Sequence, residues 1–491
     1  MRGSGRSGVL AVLAVAGLSG GLAPPARSDT LRDALTLAYQ TNPTLQSERA
    51  QLRALDESYV QATAGYRPSA SASVQYNYSK NPDTFQSEYD TASAAVTINQ
   101  PIYTGGQVTA QVRAAMADIL SGRQKLRETE AEVLQQVIQA YVDVRRDQQG
   151  LKIAQRNVEL LNHQLEETQA RFAVGELTRT DQAQAEARLA RSHAQLATAE
   201  AELAISRANY NAVVGQSPGD LEPEPALSVL PSTLDEAFAV ADRDNAGILA
   251  ADFAERAAAA RVAQAKAAGR PTFSLSATIG DSGVTAPSDY VLAQGQIPGV
   301  YGQNITASAV FTQPLFTGGM NSSRIREALE DDNVQRIAVE TARRQTTQAV
   351  AQSWYQLTAN QANVAADEKQ VSSDQVAFEG AREEAQAGLR TTIEVLNAEQ
   401  ELQAAEQALV VARHDEYVAG AALLSAMGRL EVKTLLAGVP IYDAQRAFNK
   451  IRSSGPSLPW DGVIAAVDAL GAPRADTAPA QPAQAGGKGV Q

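Results

Sequence analysis

Histidine and cysteine, the side chains that most often perform catalysis or bind transition metals near neutral pH, are almost absent from this chain. The sequence contains no cysteine, so a catalytic thiol, a disulfide framework and a cysteine metal site are excluded. Its three histidines, His163, His193 and His414, lie in charged helical sequence without a partner at ligand spacing, and we interpret them as surface residues. Neither an enzyme nor a bound metal or cofactor is therefore expected.

The N-terminus has the pattern of a secretory signal peptide, which we place at residues 1–27. Arg2 and Arg6 provide the positive charge, Val9–Leu18 is a short apolar run, and Ser19–Ala26 supplies small residues and prolines. The apolar run is too short to span a bilayer, which needs about 20 such residues. The sequence therefore predicts an exported protein.

Neither membrane-spanning helices nor nucleic-acid binding is indicated by the rest of the chain. No later segment approaches the roughly 18 consecutive apolar residues of a transmembrane helix. The formal net charge is −13, and the lysines and arginines are scattered, which disfavours nucleic acid as a partner. If the exported protein crosses a membrane, it must do so with β-strands.

An internal duplication of about 200 residues organises the sequence. The segment Thr30–Ala34 recurs as Thr233–Ala237, and the motif Gln100–Gly106 (QPIYTGG) recurs as Gln313–Gly319 (QPLFTGG). Further pairs are Asn42 with Asn245, Gly175 with Gly388, and Gly215 with Gly428. Only the stretch between Pro271 and Gln313 is longer in the second half. Such uniform spacing predicts elements of fixed length with one tolerant loop.

Each half contains a long stretch that favours helix, without proline at 102–217 or 315–439 and rich in Ala, Gln, Glu, Arg and Leu. A seven-residue apolar period, typical of a coiled-coil seam, runs through both stretches. It comprises Val137, Val144, Leu151, Val158, Leu165 and Phe172, and then Val350, Leu357, Val364, Val371, Phe378 and Ala385. Helix over Gly106–Gly175 or Gly319–Gly388 would be on the order of 100 Å long. Such helices could cross a periplasm but are too polar for lipid.

Two segments of alternating polarity precede each long helix. Residues 73–78 and 94–99 alternate in the first half, as do 273–279 and 305–311 in the second. Period two with one apolar face fits strands of about ten residues that span an outer membrane, with external loops at 79–90 and 280–304. Four strands cannot close a lipid-exposed barrel, which needs at least about eight. We therefore expect several copies to pool their strands, with three copies giving twelve.

The duplicated plan resembles the outer-membrane efflux protein family, the TolC type, over about residues 30–450. The matching motifs are the two QP(I/L)(Y/F)TGG segments and Ala387–Gln400 (AGLRTTIEVLNAEQ). The resemblance implies a mainly α protein with β structure: a homotrimer with one twelve-stranded transmembrane β-barrel in outer-membrane lipid, continuous with a periplasmic α-helical coiled-coil barrel. The strand-to-helix junctions fall at Pro101, Gly105, Gly106, Pro314, Gly318 and Gly319.

The resemblance also implies a gate at the periplasmic tip, where Gly175 and Gly388 mark the helix turns. Two family residues that constrict the pore match Glu394 and Asn397, and Asn397 departs from the usual acidic residue. Arg390 matches a basic latch residue, with Thr180 and Asp181 as its acceptors on the first-half turn. The family's aromatic latch residue is missing, because Ala385 stands in its place.

These observations predict six regions and a passive conduit. The regions are a signal peptide (1–27), a first repeat (28–215), an equatorial linker (216–232), a second repeat (233–428), an equatorial C-terminal segment (429–471) and a disordered tail (472–491). The expected function is an exit duct of efflux or type I secretion systems, with a periplasmic adaptor and an inner-membrane pump as partners. The alternative is an exported periplasmic coiled-coil protein, either structural or an adaptor.

Overall fold

A computed structural model describes residues 30–80, 88–227, 230–285, 297–435, 438–454 and 458–472. The expected signal peptide lies outside the described residues, as does the expected tail apart from Ala472. The first half contains α1 (Leu31–Thr41), α2 (Pro43–Ala64), β1 (Ser69–Lys80), β2 (Glu88–Tyr103), α3 (Gln107–Ala173) and α4 (Arg179–Val214). The second half contains α5 (Leu234–Asp244), α6 (Ala246–Ala267), β3 (Thr272–Val284), β4 (Tyr301–Thr312), α7 (Met320–Gln386) and α8 (Thr392–Ala426). Three short helices follow: α9 (Val432–Leu435), α10 (Ala444–Ser454) and α11 (Asp461–Leu470).

Each half begins with two helices, because an asparagine ends the first and starts the second. Asn42 accepts from the backbone of Leu45 and donates to the carbonyl of Val213 at 3.2 Å. Asn245 repeats both roles, with its amide donating to Ala426 at 2.8 Å. The duplicated asparagine thus caps α2 or α6 and also satisfies a carbonyl in the last turn of α4 or α8.

The four strands form one antiparallel sheet in the order β1-β2-β3-β4. An apolar row crosses it, with Val96 opposite Ile279 and Ile279 opposite Ile305. The adjacent row is polar, and the hydroxyls of Thr97 and Thr278 lie 3.0 Å apart. Successive residues of a strand point to opposite faces, so one face of the sheet is apolar and the other is polar.

The strands are longer than the sequence predicted. β3 and β4 contain 13 and 12 residues, and they include Gly280–Val284 and Tyr301–Asn304, which lie within the predicted external loop. Gly280–Gly283 pair with Tyr301–Asn304 across the hairpin, and Val284 pairs with Thr91 of β2. Backbone hydrogen bonding therefore continues into polar sequence at the outer end of the hairpin.

The two long helices, α3 and α7, each contain 67 residues. Each packs along its return helix, α4 or α8, and α3 also contacts α6 and α8. The seven-residue ladder faces these contacts: Val137 and Val350 are fully buried, whereas Phe172 near the tip is 40% exposed. The predicted seam is therefore present, and its burial in a single chain decreases towards the tip.

The main hydrophobic core lies at the level of Val133–Val144 of α3, where α1, α4 and the chain after α8 meet. Tyr141 and Tyr210 fill its centre. The hydroxyl of Tyr141 donates to the carbonyl of Glu222 at 2.7 Å and so attaches the linker between the halves to this level.

The C-terminal segment begins at this core and runs back along the first half. Leu430 and Val432 lie in the core, Phe448 of α10 packs against Tyr59 of α2, and Ile464 of α11 packs against Val108 at the start of α3. The segment expected to be equatorial therefore extends to the strand-to-helix junction. Among the described helices, none combines the length and apolar character needed to cross a membrane.

Candidate functional site at the helical tip and the strand junctions

The strand-to-helix junctions depend on paired glycines in left-handed conformation. Gly105 and Gly106 have φ of 70° and 86°, and Gly318 and Gly319 have 63° and 86°. Residues other than glycine disfavour this conformation, because their Cβ atom clashes with the backbone. The Thr-Gly-Gly sequence, present in both halves, thus lets the chain turn into each long helix after Pro101 and Pro314.

The first junction is closed by the carboxylate of Asp468, which lies at the end of α11 and is fully buried. Its Oδ1 accepts from Thr104 N at 2.8 Å, Thr104 Oγ1 at 2.7 Å and Gly106 N at 3.1 Å. Its Oδ2 accepts from Thr109 N at 3.1 Å and Thr109 Oγ1 at 2.8 Å. Asp468 therefore caps the N-terminus of α3 from a distant part of the chain. Asp468 cannot be identified from the sequence, because no local spacing links it to Thr104.

The tip turns have the same geometry in both halves. Gly175 and Gly388 have φ of 82° and 77°. The residues after them donate back into the helix: Glu176 N to the carbonyl of Arg171 at 3.0 Å and Leu389 N to that of Glu384 at 2.8 Å. This left-handed glycine termination ends each long helix before the chain turns into the return helix.

A capping box starts each return helix and holds an acidic side chain at the tip. Asp181 accepts from Thr178 N and Oγ1 at 2.9 and 2.7 Å, and Glu394 accepts from Thr391 N and Oγ1 at 3.0 and 3.1 Å. The hydrogen bonds from Thr178 lower the pKa of Asp181, and those from Thr391 lower the pKa of Glu394. Both carboxylates are therefore ionised at neutral pH.

Arg390 lies beside Glu394 on the second turn and forms an ion pair with Glu384 through its Nε. Within the described residues of this single chain, Thr180 and Asp181 form no hydrogen bond with Arg390. The hydrogen bonds given above for Asp181 come from Thr178, at the start of the same helix. Arg390, Thr180 and Glu394 are exposed.

Asn397, the second expected constriction residue, binds an arginine of the first half. Its Oδ1 accepts from Arg188 Nη2 at 2.6 Å, and Arg188 Nη1 donates to Leu396 O at 3.0 Å and Gln400 Oε1 at 2.8 Å. Arg188 lies on α4, so it joins the two return helices. Sequence reasoning missed Arg188, because nothing in the α4 sequence shows which helix it faces.

Glu399, two residues after Asn397 on α8, is 7% exposed and lies in a cavity of about 280 Å³ between α3, α4 and α8. Burial raises the pKa of Glu399 to about 7, against the opposing effect of Arg188. A carboxyl group with this pKa changes its charge near neutral pH. No pattern in the sequence identifies Glu399.

The interpretation of all three histidines as surface residues is wrong for His414. Its side chain is 8% exposed, with Nε2 2.7 Å from Asp143 Oδ1 and Nδ1 2.8 Å from Asp415 Oδ1. Burial lowers the pKa of His414, but the hydrogen bonds to Asp143 and Asp415 outweigh it and raise the pKa above its usual value. The partner Asp143 lies on α3, so helical spacing around His414 could not reveal it. His163 and His193 are exposed.

No group of three or more His, Asp or Glu side chains among the described residues is arranged to hold a metal ion. The polar side chains at the tip instead form ion pairs and caps between helices. The fold and these sites define a class of protein with two similar halves, in which a shared sheet continues into two long helical hairpins whose free ends carry charged groups.

The chain belongs to the outer membrane efflux protein family, whose model matches residues 34–216 and 241–429. The outer membrane efflux protein BepC of Brucella suis biovar 1 (strain 1330) is 35% identical over 429 residues, covering 87% of this chain and 91% of that protein. Outer membrane protein TolC of Escherichia coli (strain K12) is 26% identical over 436 residues, covering 85% and 86%. The predicted family resemblance and outer-membrane location are thereby confirmed.

Solved structures show the same fold. The outer membrane protein VceC of Vibrio cholerae superposes with a TM-score of 0.68 at 23% identity, covering 81% of this chain and 96% of that chain. The open state of the Neisseria gonorrhoeae MtrE outer membrane channel gives a TM-score of 0.69 at 20% identity, covering 82% and 89%. The fold is that of channel proteins, and the predicted fold class is confirmed.

Proposed function

We propose that three copies of this chain form a passive exit duct through the outer membrane, gated at the periplasmic tip. The observation that carries this proposal is the four-stranded sheet, in which β1 and β4 are the outer strands. Unpaired strand edges are very costly in lipid. Pairing β4 of one copy with β1 of the next removes every edge, and three copies then give a barrel of twelve strands.

The duplication supports the same interface, because one junction is packed within the chain and its counterpart is open. A Cβ at Gly105 would meet Arg270 Cβ at 2.8 Å, whereas one at Gly318 would meet nothing within 4 Å. Leu315 and Phe316 beside Gly318 are 92% and 89% exposed. The repeat partner of Arg270 is Arg67, so the next copy's α2 would cover the second junction as α6 covers the first.

At the tip, the proposed gate uses the residues expected from the sequence. Three copies of Glu394 form a ring of ionised carboxylates that attracts cations, and Asn397 adds an uncharged polar ring. Arg390 latches the second turn to Thr180 and Asp181 across neighbouring hairpins of the assembled trimer. Opening untwists the helices around Gly175 and Gly388 and separates these pairs.

The duct works with a periplasmic adaptor and an inner-membrane pump. Support comes from relatives whose names refer to export, including the alkaline protease secretion protein AprF of Pseudomonas aeruginosa, which is 25% identical over 355 residues. A passive tube has no energy source of its own, so an energised partner must drive transport. Docking of that partner at the tip would couple pumping to opening.

The assembly is tested by electron microscopy of the detergent-extracted mature protein, with its mass measured by light scattering. We expect a threefold-symmetric tube with a helical section on the order of 100 Å long. A water-soluble monomer would overturn the duct and favour an exported coiled-coil structural or adaptor protein.

The gate is tested by single-channel conductance in planar bilayers. Arg390→Ala and Asp181→Asn should each raise the conductance, because each removes one partner of the latch. Arg382→Ala, which removes an exposed arginine of α7 ahead of the turn, is the matched control. Conductance equal to that of the wild type in both latch variants would remove Arg390 and Asp181 from the gate.

A further inference from the structure

Arg188 joins the return helices of the two halves just above the tip. Its guanidinium donates from α4 to three acceptors on α8: the carbonyl of Leu396 at 3.0 Å, Gln400 Oε1 at 2.8 Å and Asn397 Oδ1 at 2.6 Å. A guanidinium presents its donors in a rigid fork, so one arginine can fix both the backbone and two side chains of α8. Leu396 is itself buried, which fixes its carbonyl in place.

The same contact encloses an ionisable carboxyl group. Glu399 lies beside Arg188 in the cavity of about 280 Å³, which Asn157 and Leu161 of α3 line from the other side. Glu399 and Asn157 are each 7% exposed, and Asn157 Oδ1 has no hydrogen-bond partner among the described residues. The charged residues lining this cavity are Arg188 and Arg191 from α4 and Glu399 from α8.

We propose that Arg188 is a positioning residue of the gate, which holds α8 against α4 in the closed duct, and that burial of a charge on the enclosed Glu399 disfavours this packing of α8 on α4 as pH rises. The inference rests on the proposed duct function. The Arg188 contact differs from the latch at Arg390 because it joins the two halves of one chain. Arg188 donates directly to Asn397, so it also sets how far this constriction residue can reach into the lumen.

The direction of the pH effect follows from burial. In the closed state the pKa of Glu399 is raised to about 7. If α8 leaves α4, Glu399 enters water and its pKa returns to about 4.3. The closed state then binds the proton more tightly, so acid favours closure and rising pH favours opening. Glu399 is thus the group lining the cavity that changes its charge near neutral pH.

The expected effects are large enough to measure. Each charge-assisted hydrogen bond lost without replacement changes an equilibrium by on the order of tenfold. Water can replace part of the Arg188 contacts, because the side chain is only half-buried. We therefore expect Arg188→Gln to increase the open fraction by about tenfold overall. Full solvation of Glu399 could change the open-to-closed ratio by on the order of a hundredfold between acid and alkaline pH.

The test compares four proteins in planar bilayers between about pH 5.5 and pH 8.5, the range around the pKa of Glu399: the wild type, Arg188→Gln, Arg191→Gln and Glu399→Gln. Arg191 is the matched control, because it lines the same cavity on the same helix. We expect Arg188→Gln to open the duct, Arg191→Gln to match the wild type, and Glu399→Gln to flatten the rise in opening with pH. Light scattering verifies that each variant is a trimer.

Every outcome is informative. An open fraction of Arg188→Gln equal to that of the wild type, or an equal increase in the open fraction of Arg191→Gln, would overturn the positioning role of Arg188. A pH profile of Glu399→Gln identical to that of the wild type would overturn the role of Glu399, even if Arg188→Gln could not be assembled. If Arg390→Ala opens the duct while Arg188→Gln does not, this inference fails and the proposed function stands. A wild-type protein that forms no channel would refute the proposed function itself.

Discussion

Asp468 should anchor the C-terminal helix to the first strand-to-helix junction, and its replacement should release α11. The proposed change is Asp468→Asn, which keeps the shape of the side chain. The native carboxylate accepts from Thr104 and Gly106 through Oδ1 and from Thr109 through Oδ2. An asparagine can accept from only one of these two sets of donors, because its NH₂ group cannot accept a hydrogen bond and would face the donors of the other set.

The free energy that Asp468→Asn removes follows from the hydrogen bonds that are lost. The substitution removes two hydrogen bonds from Thr109, each worth about 1.5–3 kcal/mol when one partner is charged. It also removes a negative charge from the N-terminus of α3, worth about 0.3–1 kcal/mol. The total of about 3–7 kcal/mol is limited by the free energy of detaching α11, after which water can reach the orphaned groups. We therefore expect local release of residues 458–472 rather than global unfolding.

Hydrogen exchange of residues 458–472, measured by mass spectrometry, checks this expectation, and limited proteolysis provides a second readout. Asp461→Asn is the matched control on the same helix, because Asp461 pairs with Arg67 at 3.2 Å and its side chain is 24% exposed. A partly exposed pair of this kind is worth only about 0–1 kcal/mol. Equal protection of α11 in Asp468→Asn and the wild type would refute the anchoring role.

The anchor should also fail in acid. Burial raises the pKa of Asp468, but the hydrogen bonds from Thr104, Thr109 and Gly106 together outweigh it and leave the pKa below its usual value. A group whose pKa is lowered by folding stabilises above its unfolded pKa, about 3.9 for aspartate, and loses this contribution as pH falls through the folded pKa. The protection of α11 in the wild type, taken relative to the intrinsic exchange rate at each pH, should therefore persist at pH 7 and fall below about pH 4.

Three further predictions concern other parts of the chain. The pKa of His414 is raised, so its pairing with Asp143 stabilises the fold below the unfolded pKa of about 6.5, and this stabilisation is lost as pH rises through the folded pKa. The difference in melting temperature between the wild type and His414→Gln should therefore shrink from about pH 5.5 to 8.5. A difference that stays constant over this range would contradict the prediction. Gly106→Ala should release α11 to proteolysis whereas Gly319→Ala should not, because an added Cβ at Gly106 meets Ala472 Cα at 2.4 Å and one at Gly319 meets nothing within 4 Å. Ile279→Lys, in the apolar row of the sheet, should lower the stability of the folded protein in lipid by about 2–4 kcal/mol, measured by urea unfolding in vesicles; a loss no greater than that of Thr278→Lys would contradict the assignment of the apolar face to lipid.

The features that the sequence predicted are those set by repetition along one element. The seven-residue ladder identified α3 and α7, period-two alternation identified the four strands, and the duplicated Thr-Gly-Gly motif identified both junctions. These patterns are local, because a helix or strand buries one face along its whole length. The exposure of His163 and His193 was also read correctly from charged surroundings.

What the sequence could not show depends on contacts between distant elements. Arg188 meets Asn397, His414 meets Asp143, and Asp468 meets Thr104, each pair joining helices or loops far apart in the chain. Periodicity tells which face of a helix is apolar but not which polar residue of another helix lies opposite a given side chain. For the same reason, composition after Gly428 did not reveal that α11 returns to the first junction.

The equal length of the two long helices restricts how proteins of this kind can change in size. Both contain 67 residues, and their return helices contain 36 and 35. In a closed ring all turns must reach the same level, so an insertion in one hairpin leaves a step unless the other half gains the same length. Whole heptads keep the seam in register, and each adds about 10 Å. Changes in the reach of such a tube across envelopes of different depth should therefore occur as paired insertions, in increments of seven residues on each of four helices.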